Sequence, residues 1–217
     1  MSLALFDLDN TLLAGDSDYL WGQFLIEVGA VSRDHYEREN LRFYNDYKSG
    51  ALDIDEFLAF QLAPLSRYPR ATLDQWHRQF MADKIEPIIL DGARALVERH
   101  RRAGDTLVII TATNRFITGP IAERFGVDAL LATEPEEIKG QFTGRYVGTP
   151  CFRDGKVVRL NAWLAKNGKT LADSHFYSDS HNDIPLLEIV SHPVAVDADE
   201  TLTRYAKDKH WQMISLR

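Results

Sequence analysis

Two aspartates near the start of the chain, Asp7 and Asp9, flank one apolar residue at the end of a short apolar run. A carboxylate can attack phosphorus without prior deprotonation, and a second carboxylate beside it can exchange a proton with the leaving alcohol. Later in the chain, Asp179 and Asp183 form a second acidic pair with three residues between them. The two pairs together are typical of phosphoryl transfer through an aspartyl intermediate.

Three short apolar runs end immediately before Asp7, Thr111 and Asp179. Such runs are typical of buried strands, and strands that alternate with helical segments predict an α/β fold with a mainly parallel sheet. Ligands of these sheets bind beyond the carboxyl ends of the strands, so the three polar residues are expected to meet there. Further strands are predicted at 129–132 and 193–196, and a hairpin within 134–153.

Residues 15–87 differ in character from the rest of the chain. They are rich in aromatic residues at helical spacings, which predicts three or four helices forming an inserted cap. Residues 1–14 and 88–217 would then form the core domain. A cap inserted directly after the strand that leads to Asp7 usually closes over the site and excludes water, which favours a small substrate.

Composition limits the remaining possibilities. A chain of 217 residues can bury one full core and carry a small extra domain. The net charge of -7 argues against a general nucleic-acid surface, and the single cysteine, Cys151, excludes a disulfide framework and a thiolate zinc site. No apolar run approaches the ~20 residues needed to span a bilayer. We therefore expect a cytoplasmic protein with a small-molecule partner and neither nucleic acid nor membrane, its oligomeric state being left open.

Four motifs in order make the chain resemble phosphatases of the haloacid dehalogenase superfamily. The branch it resembles includes phosphoserine phosphatases and histidinol-phosphatases. The motif residues are Asp7, Asp9 and Thr11 in the first, Thr111 in the second, Lys156 in the third, and Ser178, Asp179 and Asp183 in the fourth. The resemblance covers essentially the whole chain, and it implies a Rossmann-like parallel sheet flanked by helices, with an inserted helical cap of the C1 type.

The resemblance implies that Asp7 is the nucleophile and that Asp9 acts first as general acid and then as general base. It also implies a Mg²⁺ ion held by Asp7, the main-chain carbonyl of Asp9, and Asp179, since hard oxygen ligands suit this metal. Asp183 would orient Lys156 or a water on the metal.

Three further residues are assigned to the phosphate. The Thr111 hydroxyl and the Lys156 ammonium would bind the phosphoryl group, and Asn182 would lie near it. Thr111 could instead be an ordinary residue at a strand end, and Lys139 is a rival for the role of Lys156.

The sequence indicates the identity of the substrate less clearly than it indicates the reaction. In phosphoserine phosphatases an acidic residue early in the cap receives the substrate amine, and here Asp16 and Asp18 lie near that place. Asp16 could instead cap a helix. The glycine pair that follows the hydroxyl residue in phosphoserine enzymes is absent after Thr111, which favours histidinol phosphate over phosphoserine. Tyr19 and Trp21 could stack on an imidazole ring or pack in the core.

The expected activity is therefore Mg²⁺-dependent hydrolysis of a small amino-alcohol phosphate, within amino-acid biosynthesis. Two alternatives share the same residues. A phosphotransferase or phosphomutase would use the same aspartyl nucleophile with a different acceptor. A non-catalytic module would bind a phosphate ligand without turnover.

Overall fold

The structure, a computed structural model, describes residues 2–217 and contains a seven-stranded sheet. Its strands are β1 (Leu3–Phe6), β2 (Thr106–Asn114), β3 (Ala129–Ile138), β4 (Gln141–Val147), β5 (His175–Ser178), β6 (His192–Val196) and β7 (Gln212–Ile214). The strand order is β4-β3-β2-β1-β5-β6-β7, and every neighbouring pair is parallel except β3 and β4. Strand β1 is central, so the residue that follows it emerges in the middle of the carboxyl edge.

Helices flank this sheet. They are α1 (Ser17–Glu27), α2 (Arg33–Ser49), α3 (Ile54–Leu62), α4 (Arg70–Phe80), α5 (Asp91–Ala103), α6 (Arg115–Phe125), α7 (Asp154–Asn167), α8 (Ile184–Leu187) and α9 (Glu200–Asp208). Shorter helical turns cover Ala63–Arg67, Met81–Ile85, Glu86–Ile88 and His181–Asp183. No helix within residues 2–217 combines the length and the apolarity that crossing a bilayer requires.

The central strand is buried on both faces. Leu3 and Leu5 belong to one apolar cluster, whereas Ala4 and Phe6 belong to the other. Successive side chains of a strand point to opposite faces, so this alternation places one core on each side of the sheet. A strand covered on both faces is continuously apolar, which explains why it was recognisable in the sequence.

The predicted fold class is confirmed, with two differences in detail. Strand β2 continues past Ile110 to Asn114, and its register against β3 shifts over that stretch. Thr111 therefore lies within the strand rather than just beyond it. Strand β7 was not predicted, because three largely exposed residues at a sheet edge carry little apolar pattern.

The region between β1 and α5 is helical, with four α-helices, as predicted. Its two ends run side by side: the Ala14 N–H donates to the Ile88 carbonyl, and the Leu90 N–H donates to the Leu12 carbonyl. Most aromatic residues of the region pack in its own interior. Trp21, Phe24 and Phe80 form one such group, and Phe43, Phe57 and Phe60 form another.

Candidate active site

Asp7 and Lys156 form a buried ion pair at the carboxyl end of β1. Lys156 Nζ lies 2.7 Å from Asp7 Oδ1 and 2.7 Å from Asp183 Oδ2. Burial alone would lower the pKa of Lys156, but the carboxylates of Asp183 and Asp7 outweigh it and hold the pKa above its usual value. The lysine is therefore a fixed positive charge beside Asp7. Lys139, the other lysine considered for this role, lies instead in the turn between β3 and β4.

The first turn of α7 places Lys156. Gly155 precedes it, and a Cβ added there would lie 2.0 Å from the carbonyl oxygen of Pro150. Only glycine lets the start of the helix approach the preceding loop so closely. Arg153, next to α7, has a φ of 50°, a conformation that non-glycine residues rarely adopt. Backbone strain of this kind is often found at functional sites.

Asp9 is held from two sides. Its Oδ1 accepts the Ser17 main-chain N–H at 2.6 Å, and its Oδ2 accepts the Thr113 hydroxyl at 2.8 Å. The Thr111 hydroxyl lies 3.5 Å from the same Oδ2 atom. Burial, with the Asp16 charge as a second cause, raises the pKa of Asp9 to about 6. A carboxyl group that titrates near neutral pH can both give and take a proton, as a general acid and base must.

Thr11 connects the two acidic motifs. Its Oγ1 lies 3.3 Å from Asp7 Oδ2 and 3.0 Å from Asp179 Oδ1, and it accepts the Asp179 main-chain N–H at 3.0 Å. The two carboxylates therefore lie on either side of one hydroxyl. Burial is the main cause that raises the pKa of both carboxyl groups.

This pair of carboxylates fits a hard divalent cation. Two buried carboxylates close together repel each other, and a bound cation would relieve the repulsion. No group of three or more acidic, histidine or cysteine side chains within residues 2–217 is arranged for a metal. Mg²⁺ requires no such group, because it binds through one or two carboxylates and keeps several waters.

Asp183 orients Lys156, one of the two roles expected of it. Its Oδ2 accepts both the Lys156 ammonium and the Ser178 hydroxyl, each at 2.7 Å. Asp183 also occupies the N-cap position of α8, but its side chain makes no capping hydrogen bond there. One oxygen of Asp183 therefore accepts two hydrogen bonds, one from the Lys156 ammonium and one from the Ser178 hydroxyl.

Asn182 belongs to a second connection, between the helical region and the core. Its Oδ1 accepts Arg153 Nε at 2.9 Å, and the same guanidinium donates to the Gly50 carbonyl at the end of α2. Nearby, the Tyr47 hydroxyl donates to Ser180 at 2.9 Å. Arg153 thus couples the position of Asn182 to the end of α2. The sequence did not single out Arg153, since one arginine in a loop is usually solvated.

One cavity joins most of the predicted site residues. Those that line it are Asp7, Asp9, Asp16, Asp18, Thr111, Lys156, Asn182 and Asp183. Asp179 lies behind Asp7 and is joined to it through Thr11. The helical region contributes much of the remaining lining: Tyr19, Asn40, Phe43, Tyr44, Tyr47 and Phe57.

The two acidic residues at the start of the helical region differ. Asp16 Oδ1 accepts the main-chain N–H groups of Asp18 and Tyr19, so this side chain caps α1. Asp18 is only 6% exposed, and its Oδ1 has no hydrogen-bond partner among the described residues. Of the two uses considered for Trp21, packing in the core is the one that the structure shows. Its ring is fully buried against Phe24, Phe80 and Phe116 and does not line the cavity.

Comparison with known proteins agrees with this geometry. The family model for haloacid dehalogenase-like hydrolases matches residues 4–188. The chain belongs to this family. It is 47% identical to a histidinol-phosphatase of Neisseria meningitidis, over 100% of this chain and 99% of that protein. A phosphoserine phosphatase of Mycobacterium tuberculosis is 30% identical over 99% of this chain and 70% of its own length. This haloacid dehalogenase-like hydrolase is a phosphatase.

Solved structures share the fold. A protein of unknown function from Bordetella pertussis superposes with a TM-score of 0.94 at 45% identity, over 100% of this chain and 99% of that one. A phosphoserine phosphatase solved as an analogue of its phospho-aspartyl intermediate gives a TM-score of 0.72 at 18% identity, over 100% and 93% of the two chains. At that identity the second likeness supports the fold of this phosphatase and no more.

Proposed function

We propose that the protein is a Mg²⁺-dependent phosphomonoesterase that forms a phosphorylated Asp7. The observation that carries this proposal is the position of Asp7. It follows the central strand, pairs with the buried Lys156 and faces a cavity that Asp9 also lines. A carboxylate held there is ready to attack a phosphorus atom brought in by a substrate.

The proposed reaction has two steps. In the first, an Asp7 oxygen forms a bond to phosphorus while the ester bond breaks, and Asp9 gives its proton to the leaving alkoxide. In the second, Asp9 takes a proton from water, whose oxygen attacks phosphorus and releases Asp7 and inorganic phosphate. Lys156, the Thr111 hydroxyl and Asn182 would hold the phosphoryl oxygens throughout.

Mg²⁺ would be held by Asp7, Asp179 and the main-chain carbonyl of Asp9. When bound, it supplies positive charge that lets an anionic nucleophile approach an anionic phosphate. Asp183 would keep Lys156 in place beside the nucleophile.

Residues 15–87 would form a cap over the cavity, with residues 1–14 and 88–217 as the core. The paired chain ends at Ala14–Ile88 and Leu12–Leu90 support this division, because the chain leaves the core and returns to it at neighbouring points. Such a cap would exclude water from the reacting groups.

The proposed substrate is an amino-alcohol phosphate, with histidinol phosphate ahead of phosphoserine. Lys156 is the only basic residue among the described residues that line the cavity, and it is already paired with two carboxylates. The carboxylate of phosphoserine would therefore meet no free positive charge, whereas an ammonium group would meet Asp16 and Asp18. The name of the Neisseria relative points the same way.

Replacing Asp7 with Asn tests the mechanism. The amide keeps the shape and removes the nucleophile, so phosphate release should fall nearly to background, since enzymatic acceleration of such hydrolyses can approach ~10²¹. Asp34→Asn, at an exposed position on α2, is the control. Retention of a sizeable share of activity by Asp7→Asn would refute the covalent mechanism. Substrate choice is tested separately, by kcat/KM on histidinol phosphate and phosphoserine.

A further inference from the structure

Two buried polar atoms in the lining of the cavity have no hydrogen-bond partner among residues 2–217. They are Asp18 Oδ1 on α1 and Asn40 Nδ2 on α2, in side chains that are 6% and 4% exposed. A buried polar group without a partner typically costs ~1–3 kcal/mol, so proteins seldom keep one without a use. Both atoms lie on the side of the cavity formed by the helical region.

Gly22 lets the helix that carries Asn40 pack closely against the helix that carries Asp18. A Cβ added to it would lie 2.6 Å from Asn40 Nδ2 and 2.7 Å from Tyr36 Cε1, so only glycine allows α2 to lie this close to α1. Asp18 is four residues before Gly22, on the same face of α1. The close approach of the helices therefore places Asn40 against the face of α1 that carries Asp18.

The two groups have opposite requirements. A carboxylate oxygen accepts a hydrogen bond, whereas an amide Nδ2 donates one. A ligand in the cavity that satisfies both must present one donor and one acceptor. A simple ammonium group offers donors only, and would leave Asn40 unsatisfied. A neutral imidazole offers one N–H donor and one nitrogen acceptor.

The surrounding residues suit a flat ring. Phe43, Tyr44 and Phe57 line the same cavity, and the rings of Phe43 and Phe57 already pack edge to face with centroids 5.3 Å apart. Aromatic side chains favour stacked or edge-on contact with another ring. An anionic group would be repelled by Asp16 and Asp18.

We infer that Asn40 and Asp18 recognise a nitrogen heteroaromatic ring on the leaving group, with Asn40 donating to its acceptor nitrogen and Asp18 accepting from its N–H. This deepens the proposed function and rests on it. Asn40 thereby becomes a determinant of substrate specificity, separate from the groups that handle the phosphate. The sequence did not single out Asn40, because its position against Gly22 depends on how α1 and α2 pack.

The test compares two substrates that differ only in the ring. Histidinol phosphate carries an imidazole, and phenylalaninol phosphate carries a flat ring with no nitrogen. We expect wild-type enzyme to favour the first in kcat/KM. In Asn40→Leu this preference should fall roughly tenfold to a hundredfold, the range for one buried hydrogen bond. Leu41→Ala, at an exposed position on the same helix, should keep it.

A second variant, Asn40→Asp, has nearly the same shape as the wild-type side chain, and it tests the inference even if Asn40→Leu fails to fold. It replaces a donor with an acceptor, so the preference should fall at pH 8. It should return as the pH drops past about 6.5, where the ring becomes imidazolium and offers two donors. A change of packing alone would not produce this pH dependence in a ratio of two substrates.

The failure of this inference can be distinguished from failure of the proposed function. If wild-type enzyme hydrolyses histidinol phosphate well but both Asn40 variants keep its preference, Asn40 does not recognise the ring. If wild type hydrolyses both substrates equally, ring recognition is also refuted, while the phosphatase mechanism stands. If neither is hydrolysed and other phosphate esters are, the proposed substrate class is wrong, and the inference is refuted with it.

Discussion

The Ser17 main-chain N–H donates a hydrogen bond of 2.6 Å to Asp9 Oδ1, which attaches the proposed general acid to the first turn of α1. The exposed N–H groups at a helix start favour negative charge. They therefore act to lower the pKa of Asp9, whereas burial acts to raise it, and the resulting pKa is about 6. Because α1 also carries Asp18, the helix proposed to contact the leaving group also positions the group that would protonate it.

This relationship predicts how Asp9→Asn will behave. An alkoxide leaving group needs a proton as the ester bond breaks, whereas p-nitrophenolate leaves readily without one. We expect kcat/KM to fall by about 10²–10⁴-fold on an alkyl phosphate and by much less on p-nitrophenyl phosphate. Steady-state kinetics on both substrates checks this. Asp208→Asn, at an exposed position on α9, is the control, and equal losses on the two substrates would contradict the general-acid role.

The proposed metal site predicts a thermal shift. Ligand that binds only the folded state stabilises it, by ~2.7 kcal/mol at a concentration of one hundred times Kd. Adding Mg²⁺ to EDTA-treated protein should therefore raise the Tm. Asp179→Asn should lose most of this increase, because the amide carries no charge and is a weaker ligand for a hard cation than a carboxylate.

Differential scanning fluorimetry measures the shift, and phosphate release measures activity in the same samples. EDTA should abolish activity and Mg²⁺ should restore it in wild type. An Asp179→Asn protein whose Tm responds to Mg²⁺ as wild type does would show that the ion binds elsewhere.

The buried charges around Lys156 predict a coupled effect on stability. Lys156→Met leaves Asp7 and Asp183 without their positive partner, and breaking a buried pair in this way typically costs ~3–5 kcal/mol. The cost should shrink at low pH, because burial raises the pKa of Asp7 to about 7 and this carboxyl group can take up a proton there. Urea denaturation at pH 5 and pH 8 measures both effects.

Two further variants complete this experiment. Lys156→Met combined with Asp183→Asn should recover part of the stability and none of the activity, because one unpaired charge has been removed. Lys166→Met, at an exposed position on the same helix, should change neither. The single variant Asp183→Asn is measured as well. If the loss of stability in the double variant equalled the sum of the losses in Lys156→Met and Asp183→Asn, the charges would not be coupled.

The buried strands and the place of the acidic residues were predictable for a physical reason. A strand buried on both faces is continuously apolar, and the polar residue that follows it marks the carboxyl edge of the sheet, as at Asp7 and Asp179. Asn40, Arg153 and the capping role of Asp16 depend instead on how helices pack against loops. Local sequence carries little information about such contacts, so the sequence did not single out Asn40 and Arg153.

His77 predicts a pH dependence of stability that is independent of the site. Its ring lies among Trp21, Phe80 and Phe116, and its Nε2 is 2.9 Å from the Ile117 carbonyl oxygen. Burial lowers its pKa below the usual 6.5. The unfolded chain therefore binds a proton at His77 more readily than the folded chain does.

The contribution of neutral His77 is complete above about pH 6.5 and is lost as the pH falls from there through the lower pKa of the folded state. The urea midpoint should accordingly drop between pH 7.5 and pH 5 in wild type. His77→Gln, which retains a donor and does not titrate, should show a smaller drop. His35→Gln, at an exposed position on α2, controls for the loss of a histidine as such. If His77→Gln lost stability on acidification as steeply as wild type, the acid sensitivity would arise elsewhere, and the buried ring would serve only to pack against its aromatic neighbours.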